Sequence, residues 1–233
     1  MAVDRFERPM DGVIMRYATT RHTLGILLIL CLPALVCSTG CAVLYQLAYG
    51  DGHKIEAKYT GLKGKRVAVV CVMNPSTYGD GEASTMLADE VGRILRQKID
   101  KIQVVRQDEV ADWMDTNEWD ESDFVEIGRG VKADVVVGID IDAFSIHESK
   151  TLLKGRSRLS TTVYDMARDG EEVFRTTDAE HTFPTTHAVS VLNANWRTFE
   201  RTYIQVLAEH IAKNFYDYNM AEDFARDGAA YAH

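Results

Sequence analysis

The sequence predicts an α/β (α+β) domain, built as a three-layer-like mixed sheet of about five strands with flanking helices. A continuous apolar run at 67–73 is typical of a central strand that is buried on both faces. Segments 82–98 and 193–218 repeat their apolar residues at helical spacing, and three extended segments follow one another between 133 and 181. The predicted order is therefore β-α-β-α-α-β-β-β-α.

The first half of the domain alternates strands and helices. Residues 82–98 place their acidic side chains early and their basic ones late, as the dipole of a helix favours. A short strand is predicted at 102–105, and Asp108 is expected to cap a short helix that ends at Trp113. An acidic loop at 115–123 and a further helix from residue 124 complete this half.

Three consecutive strands are predicted at 133–144, 157–165 and 172–181. The second half of the first one alternates apolar and polar residues, as a half-buried strand does. Asp169-Gly170 joins the last two segments and is a strong signal for a hairpin turn. A polar link at 146–155 separates the first two.

The final element is a long amphipathic helix at 193–218, and the polar, Ala- and Gly-rich segment 219–233 is predicted to be a flexible tail. The folded domain thus spans 65–218. No repeat with a period of 20–50 residues is visible.

The amino-terminal segment 1–40 is predicted to be an export signal. Its apolar run at 24–36 has thirteen residues, which is too short for an ordinary membrane-spanning helix but fits the centre of a secretory signal. Arg16 and Arg21 supply the positive flank that such signals carry. A chain that began at Met15 would carry basic and no acidic residues before the apolar run, as export signals do. This indicates that residues 1–14 are an over-extended gene assignment.

Cys41 is the predicted site of lipid attachment. Thr39 and Gly40 are the small residues that precede the lipidated cysteine of a bacterial lipobox, although Ser38 stands where leucine is usual. Residues 41–64 then form a lipidated tether, and Ala42 favours the outer membrane over the inner one. We expect the chain to face the periplasm. The alternative to lipid attachment at Cys41 is a signal segment that stays uncleaved and anchors the chain in the membrane.

Charge and cysteine content exclude several classes of function. The chain from residue 41 onward has 22 basic and 32 acidic residues, a net charge of −10, which argues against nucleic acid as a partner and against broad adhesion to anionic lipid. Cys71 is the one cysteine beyond the anchor and is expected to be a small core residue. The sequence indicates no disulfide framework and no cofactor.

This order of elements resembles the CsgG/LpoB family of bacterial lipoproteins, which share the TolB amino-terminal fold. The residues that carry the resemblance are the strand start at 65–70, the helix at 82–98, the run 133–138 and the hairpin motif at 164–171. The resemblance implies a non-enzymatic envelope protein that binds an envelope protein partner or assembles as a homo-oligomer. The secretion branch of that family forms pores from long amphipathic hairpins, which the short polar link at 146–155 does not provide.

Four residues are candidates for a metal or hydrolytic site. Asp140 and Asp142 are two positions apart on one strand, so both carboxylates project from the same face. His181 and His187 bracket a strand end and a loop. A polar solvent face and solvated loop histidines explain these residues more simply, because no third ligand stands at useful spacing.

Trp113 and Trp119 are candidates for partner contact, because aromatic residues surrounded by charge are common interface anchors. One tryptophan in the core and one on a solvated loop is the simpler explanation. We therefore predict a lipid-anchored envelope protein whose domain is a non-catalytic binding and assembly module. The alternatives are a metal-binding or hydrolytic envelope enzyme and a subunit of a secretion pore.

Overall fold

The computed structural model describes residues 54–73, 82–117, 119 and 123–219. Within this part of the chain, Ile55–Asn219 form one compact unit. The predicted signal segment 1–40, the lipidation site Cys41, the tether up to residue 53 and the tail after Asn219 lie outside the described residues.

Six strands form one mixed sheet, which confirms the predicted α+β class. In chain order all the strands are β1 (Lys54–Ile55), β2 (Arg66–Met73), β3 (Gln103–Val104), β4 (Val135–His147), β5 (Leu152–Asp165), β6 (Glu171–Phe183), β7 (Val189–Ser190) and β8 (Tyr218–Asn219). The sheet has the order β3-β2-β4-β5-β6, and β7 pairs with the beginning of β5. β3 and β4 run parallel to β2, whereas β5, β6 and β7 are added antiparallel.

Helices cover the two faces of this sheet unequally. They are α1 (Glu82–Lys98), α2 (Gln107–Thr116), α3 (Phe124–Gly130) and α4 (Trp196–Ala212). α1 and α4 pack on one face and enclose the main core, so we call it the main-core face. α2 and α3 enclose a smaller core on the second face, around Val70, Val136 and Ile127. The result is the predicted arrangement of helix, sheet and helix layers.

A β-bulge in β4 explains why this strand is longer than the sequence indicates. The pairing register with β5 shifts between Ile141 and Ala143. Ile139 and Ile141 are buried before the shift, and Phe144 and Ile146 are buried after it, all in the main core. The extra residue moves the buried positions from odd to even numbers. The alternation therefore changes phase in the sequence, although the strand stays in the sheet.

The link predicted at 146–155 is mostly strand for the same reason. Only residues 148–151 separate β4 from β5, and Leu153 is fully buried in the main core.

α4 is shorter than predicted. The Asn195 side chain caps its start by accepting a hydrogen bond from Arg197 N–H, and the helix ends at Ala212. Asp108 does not cap α2, which begins one residue earlier, at Gln107.

The segment 55–64, which the sequence assigns to the tether, packs within the compact unit. Ala57 N–H donates to Asp217 Oδ1 at 2.8 Å, and Tyr59 N–H donates to the Asn214 carbonyl oxygen at 2.9 Å. Leu62 is fully buried in the main core. These contacts attach the segment to the chain that follows α4.

Candidate functional site

An exposed apolar cluster lies at one end of the domain, where β5 begins, β7 ends and α4 starts. Its members are Leu152, Val191, Leu192 and Trp196, with exposed fractions of 37%, 37%, 91% and 44%. They are all the large hydrophobic side chains that are exposed among the described residues. We call this cluster the apolar tip. Single exposed apolar residues are ordinary on a folded domain, whereas several gathered at one place are less common.

Backbone hydrogen bonds build the apolar tip as an ordered turn. Ser190 pairs with Leu152 between β7 and β5, and Val191 N–H donates to the Thr151 carbonyl oxygen at 3.0 Å. The N–H groups of Asn193 and Ala194 donate to the Ser190 carbonyl oxygen. The cap at Asn195 then starts α4, which places Trp196 in its first turn.

Basic side chains surround the apolar tip. Residues 147–156 and 189–201 contain five Lys or Arg and two Glu, whereas the chain as a whole has a net charge of −9. The Arg197 guanidinium lies over the Trp196 ring, 5.1 Å from its centroid. Arg156 is ion-paired to Glu148 at 2.7 Å and to Glu180 on β6 at 2.8 Å. The end of the domain is thus locally cationic on an acidic protein.

Asp140 and Asp142 lie on the second face of the sheet, in the part that helices leave open. Both are exposed and follow each other along β4 before its bulge. Partial burial, and then the negative charge of Asp142, raise the pKa of Asp140, while Arg175 on β6 opposes this shift. Both side chains therefore lie on an exposed face of β4.

His181 lies on the other side of the sheet, within a polar cluster that the sequence did not predict. Its ring stacks on Tyr203 and lies 4.7 Å, centroid to centroid, from the ring of His210 in α4. Asp178 Oδ2 is 3.2 Å from His210 Nε2. We call Asp178, His181, Tyr203 and His210 the histidine cluster; it joins the edge strand β6 to α4.

Burial shifts the pKa of His181 within this cluster. Desolvation, together with the charge of His210, lowers the pKa of His181 to about 4. The neighbouring His210 imidazole lowers the pKa of the Asp178 carboxyl. His181 Nδ1 is buried and has no hydrogen-bond partner among the described residues. The His181 ring is therefore neutral at pH 7.

The four predicted metal candidates do not meet. Asp140 and Asp142 lie on the second face, His181 lies on the main-core face, and His187 is exposed in the loop between β6 and β7. Among the described residues, no three His, Cys, Asp or Glu side chains are placed to hold a metal ion.

Trp113 and Trp119 are both half-buried against the smaller core. Trp113 covers Gly130, where even an added methyl group would clash with its indole ring. Trp119 Nε1–H donates to the Asp123 carbonyl oxygen at 2.8 Å. The partner role of this pair stays a prediction.

The sequence contains one signal for the apolar tip. Val191 and Leu192 are adjacent apolar residues shortly before a helix, where a solvated loop needs neither. The histidine cluster had no comparable signal, because Asp178 and His181 meet His210 only through the packing of α4 on β6.

None of the helices in the described ranges is long and apolar enough to cross a membrane.

No protein-family description and no curated protein sequence matches this chain. Several solved structures resemble it weakly. A PelC dodecamer from Paraburkholderia phytofirmans is 9% identical with a TM-score of 0.41, covering 70% of this chain and 94% of that one. Lipoprotein GNA1162 from Neisseria meningitidis is 14% identical with a TM-score of 0.40, covering 63% and 97%.

The LpoB C-terminal domain from Salmonella enterica is also among the similar structures, at 14% identity and a TM-score of 0.32, covering 52% of this chain and 84% of that one. Bacterial lipoproteins thus recur among the similar structures.

Proposed function

We propose that the protein is a lipid-anchored component of the bacterial cell envelope that acts by binding rather than by catalysis, with the apolar tip as its contact surface. The observation that carries this proposal is the concentration of every exposed large apolar side chain of the described residues at one end of the domain. Exposing such side chains to water is unfavourable, so a partner that covers them gains free energy.

The construction of the apolar tip supports a binding role. Val191 and Leu192 lie in a turn held by backbone hydrogen bonds, and Trp196 lies in the first turn of a 17-residue helix. Binding therefore orders little additional chain, which keeps its entropic cost low. Tryptophan is also among the residue types that most often dominate binding energy at an interface.

The lipid anchor and the cellular location in this proposal are inferred from the sequence. The signal segment 1–40 and the lipobox at Cys41 support export and lipidation. Ala42 supports the outer membrane as the site of attachment, with the domain in the periplasm. An envelope protein partner or a homo-oligomer is compatible with the same contact surface.

Crosslinking in cells tests the binding role. We expect a photoreactive phenylalanine analogue at Leu192 to form a discrete adduct with an envelope component, because this side chain is the most exposed member of the apolar tip. The matched control carries the analogue at Gln97, an exposed position of α1. Equal adduct formation at the two positions would contradict the proposal.

The anchor is tested by Cys41→Ser. We expect this variant to lose lipid labelling and to leave the membrane fraction, because the thiol that accepts the lipid is gone. Fractionation of cells with metabolic labelling by a fatty-acid analogue measures both effects. If attachment and labelling both survive, the lipoprotein assignment fails and a signal anchor replaces it.

A further inference from the structure

We infer that the envelope component contacted by the apolar tip is the lipid bilayer itself, so that the tip inserts its side chains at the level of the lipid headgroups. This inference rests on the proposed function and names the partner of that surface. Side chains of the Leu and Trp type at the end of a polar domain are those that a membrane interface accepts most readily.

The N–H groups of the apolar tip are hydrogen-bonded within the molecule, which favours transfer of this segment into a medium of low polarity. The four consecutive N–H groups of residues 191–194 donate within the molecule, to the Thr151 carbonyl oxygen and to the Ser190 hydroxyl and carbonyl oxygens. Arg197 N–H donates to Asn195 Oδ1. Unsatisfied amides are expensive to move out of water, so internal bonds remove much of the cost of insertion.

The charges around the apolar tip complement an anionic headgroup layer. Lys150 precedes Leu152 by two residues, Lys154 follows it on the same strand face, and Arg197 covers the Trp196 ring. With Glu180, which pairs with Arg156, included, the local excess is two positive charges, which contrasts with the acidic domain. The acidic body opposes broad adhesion to the membrane, and this contrast directs one end of the domain towards it.

The tether is long enough for the anchor and the apolar tip to share one bilayer. From Cys41 to Ala57 the chain has sixteen residues and spans at most ~55 Å when extended. Ala57 contacts Asp217, beyond the carboxyl end of α4, whereas the apolar tip lies at the amino end of that helix. α4 is ~26 Å long at 1.5 Å per residue, which is about half the reach of the tether.

Fluorescence quenching by brominated lipids tests the inference. The full lipidated protein is reconstituted in phosphatidylcholine vesicles with added phosphatidylglycerol, in which part of the phosphatidylcholine carries bromine on its acyl chains. We expect quenching of tryptophan emission that Trp196→Phe abolishes, since Trp113 and Trp119 lie against the smaller core. Leu192→Asp should also abolish it while the lipid anchor still holds the protein on the vesicle. Gln97→Glu adds a charge at an exposed position of α1 and should leave the quenching unchanged.

Three outcomes would overturn the inference. The first is emission that brominated lipid does not quench, and the second is quenching that survives in Trp196→Phe. The third is equal quenching in pure phosphatidylcholine, which would remove the role of the basic side chains. The crosslinking experiment separates these failures from failure of the proposed function: a protein adduct at Leu192 without lipid quenching leaves the binding role intact and refutes the bilayer as partner.

Discussion

Replacing Gly155 with alanine should destabilise the domain by about 3 kcal/mol or more, although the change adds a single methyl group. Gly155 lies on β5 under the ring of Tyr203, and a Cβ at this position would fall 2.5 Å from two ring carbons. Real Cβ atoms do not approach other atoms so closely, so either the strand or the ring must move.

The surrounding packing prevents the Tyr203 ring from moving away from Gly155. It is fully buried, and its hydroxyl lies 2.9 Å from Ser157 Oγ and 3.2 Å from the His181 carbonyl oxygen. The rings of Phe144 and Phe183 pack beside it, with centroids 5.4 and 6.3 Å away. Moving the ring would break the polar contacts and leave voids in a close-packed core, which makes the methyl group costly.

Denaturant unfolding of the purified protein measures this effect, with Gly92→Ala as the matched control. A Cβ at Gly92, in the middle of α1, would meet only a methyl group of Val104 at 3.0 Å. Alanine also favours a helix over glycine by about 1 kcal/mol, so this control should be close to neutral. Combining Gly155→Ala with Tyr203→Leu should cost less than the sum of the two single changes, because the clash requires the ring. An additive result would show that the close approach is not the cause.

The sequence predicted the central strands and α1 well, because their apolar patterns are long and regular. It failed where a single residue changes the pattern. The bulge between Ile141 and Ala143 inverts the alternation of β4, and the prediction therefore ended the strand too early and replaced the start of β5 with a link. Side-chain periodicity alone cannot show that a strand continues through such a shift.

The two sites differ in how far the sequence could reveal them. The apolar tip is local in the chain, and Val191-Leu192 before a helix cap was a usable signal. The histidine cluster combines residues 29 and 32 positions apart in sequence, and its members look like ordinary polar residues of a strand and a helix. Only the packing of α4 on β6 brings His181 and His210 to ring contact.

The positions of the predicted metal and hydrolytic candidates bear on the choice between a hydrolytic and a binding function. Asp140 and His181 are separated by the sheet itself, so a hydrolytic site that uses both has no geometric support in the described residues. The exposed apolar side chains of the apolar tip instead lie together near the start of α4, with Arg197 over the Trp196 ring. A binding role therefore uses features that the fold already holds together.

Acidification should destabilise the protein through His181. In the folded state the pKa of His181 is about 4, whereas an unfolded histidine has a pKa of about 6.5. Between these values the unfolded chain binds more protons than the folded one, so stability is full above pH 6.5 and falls as the pH drops towards 4. The total loss is about 3 kcal/mol, a large share of the stability of an ordinary domain. The lowered pKa of Asp178 extends the loss to still lower pH, where its carboxylate becomes protonated in the folded state as well.

Unfolding free energies at several pH values between about 7.5 and 4, for the unaltered protein and for His181→Phe, test this expectation. Phenylalanine keeps an aromatic ring beside Tyr203 and removes both the titrating group and the unpartnered Nδ1. We expect the variant to lose about 3 kcal/mol less than the unaltered protein over this range. His187→Gln, at an exposed loop position, should keep the original pH dependence. If His181→Phe loses as much stability on acidification as the unaltered protein, the acid sensitivity arises elsewhere, and the buried imidazole between β6 and α4 is not its source.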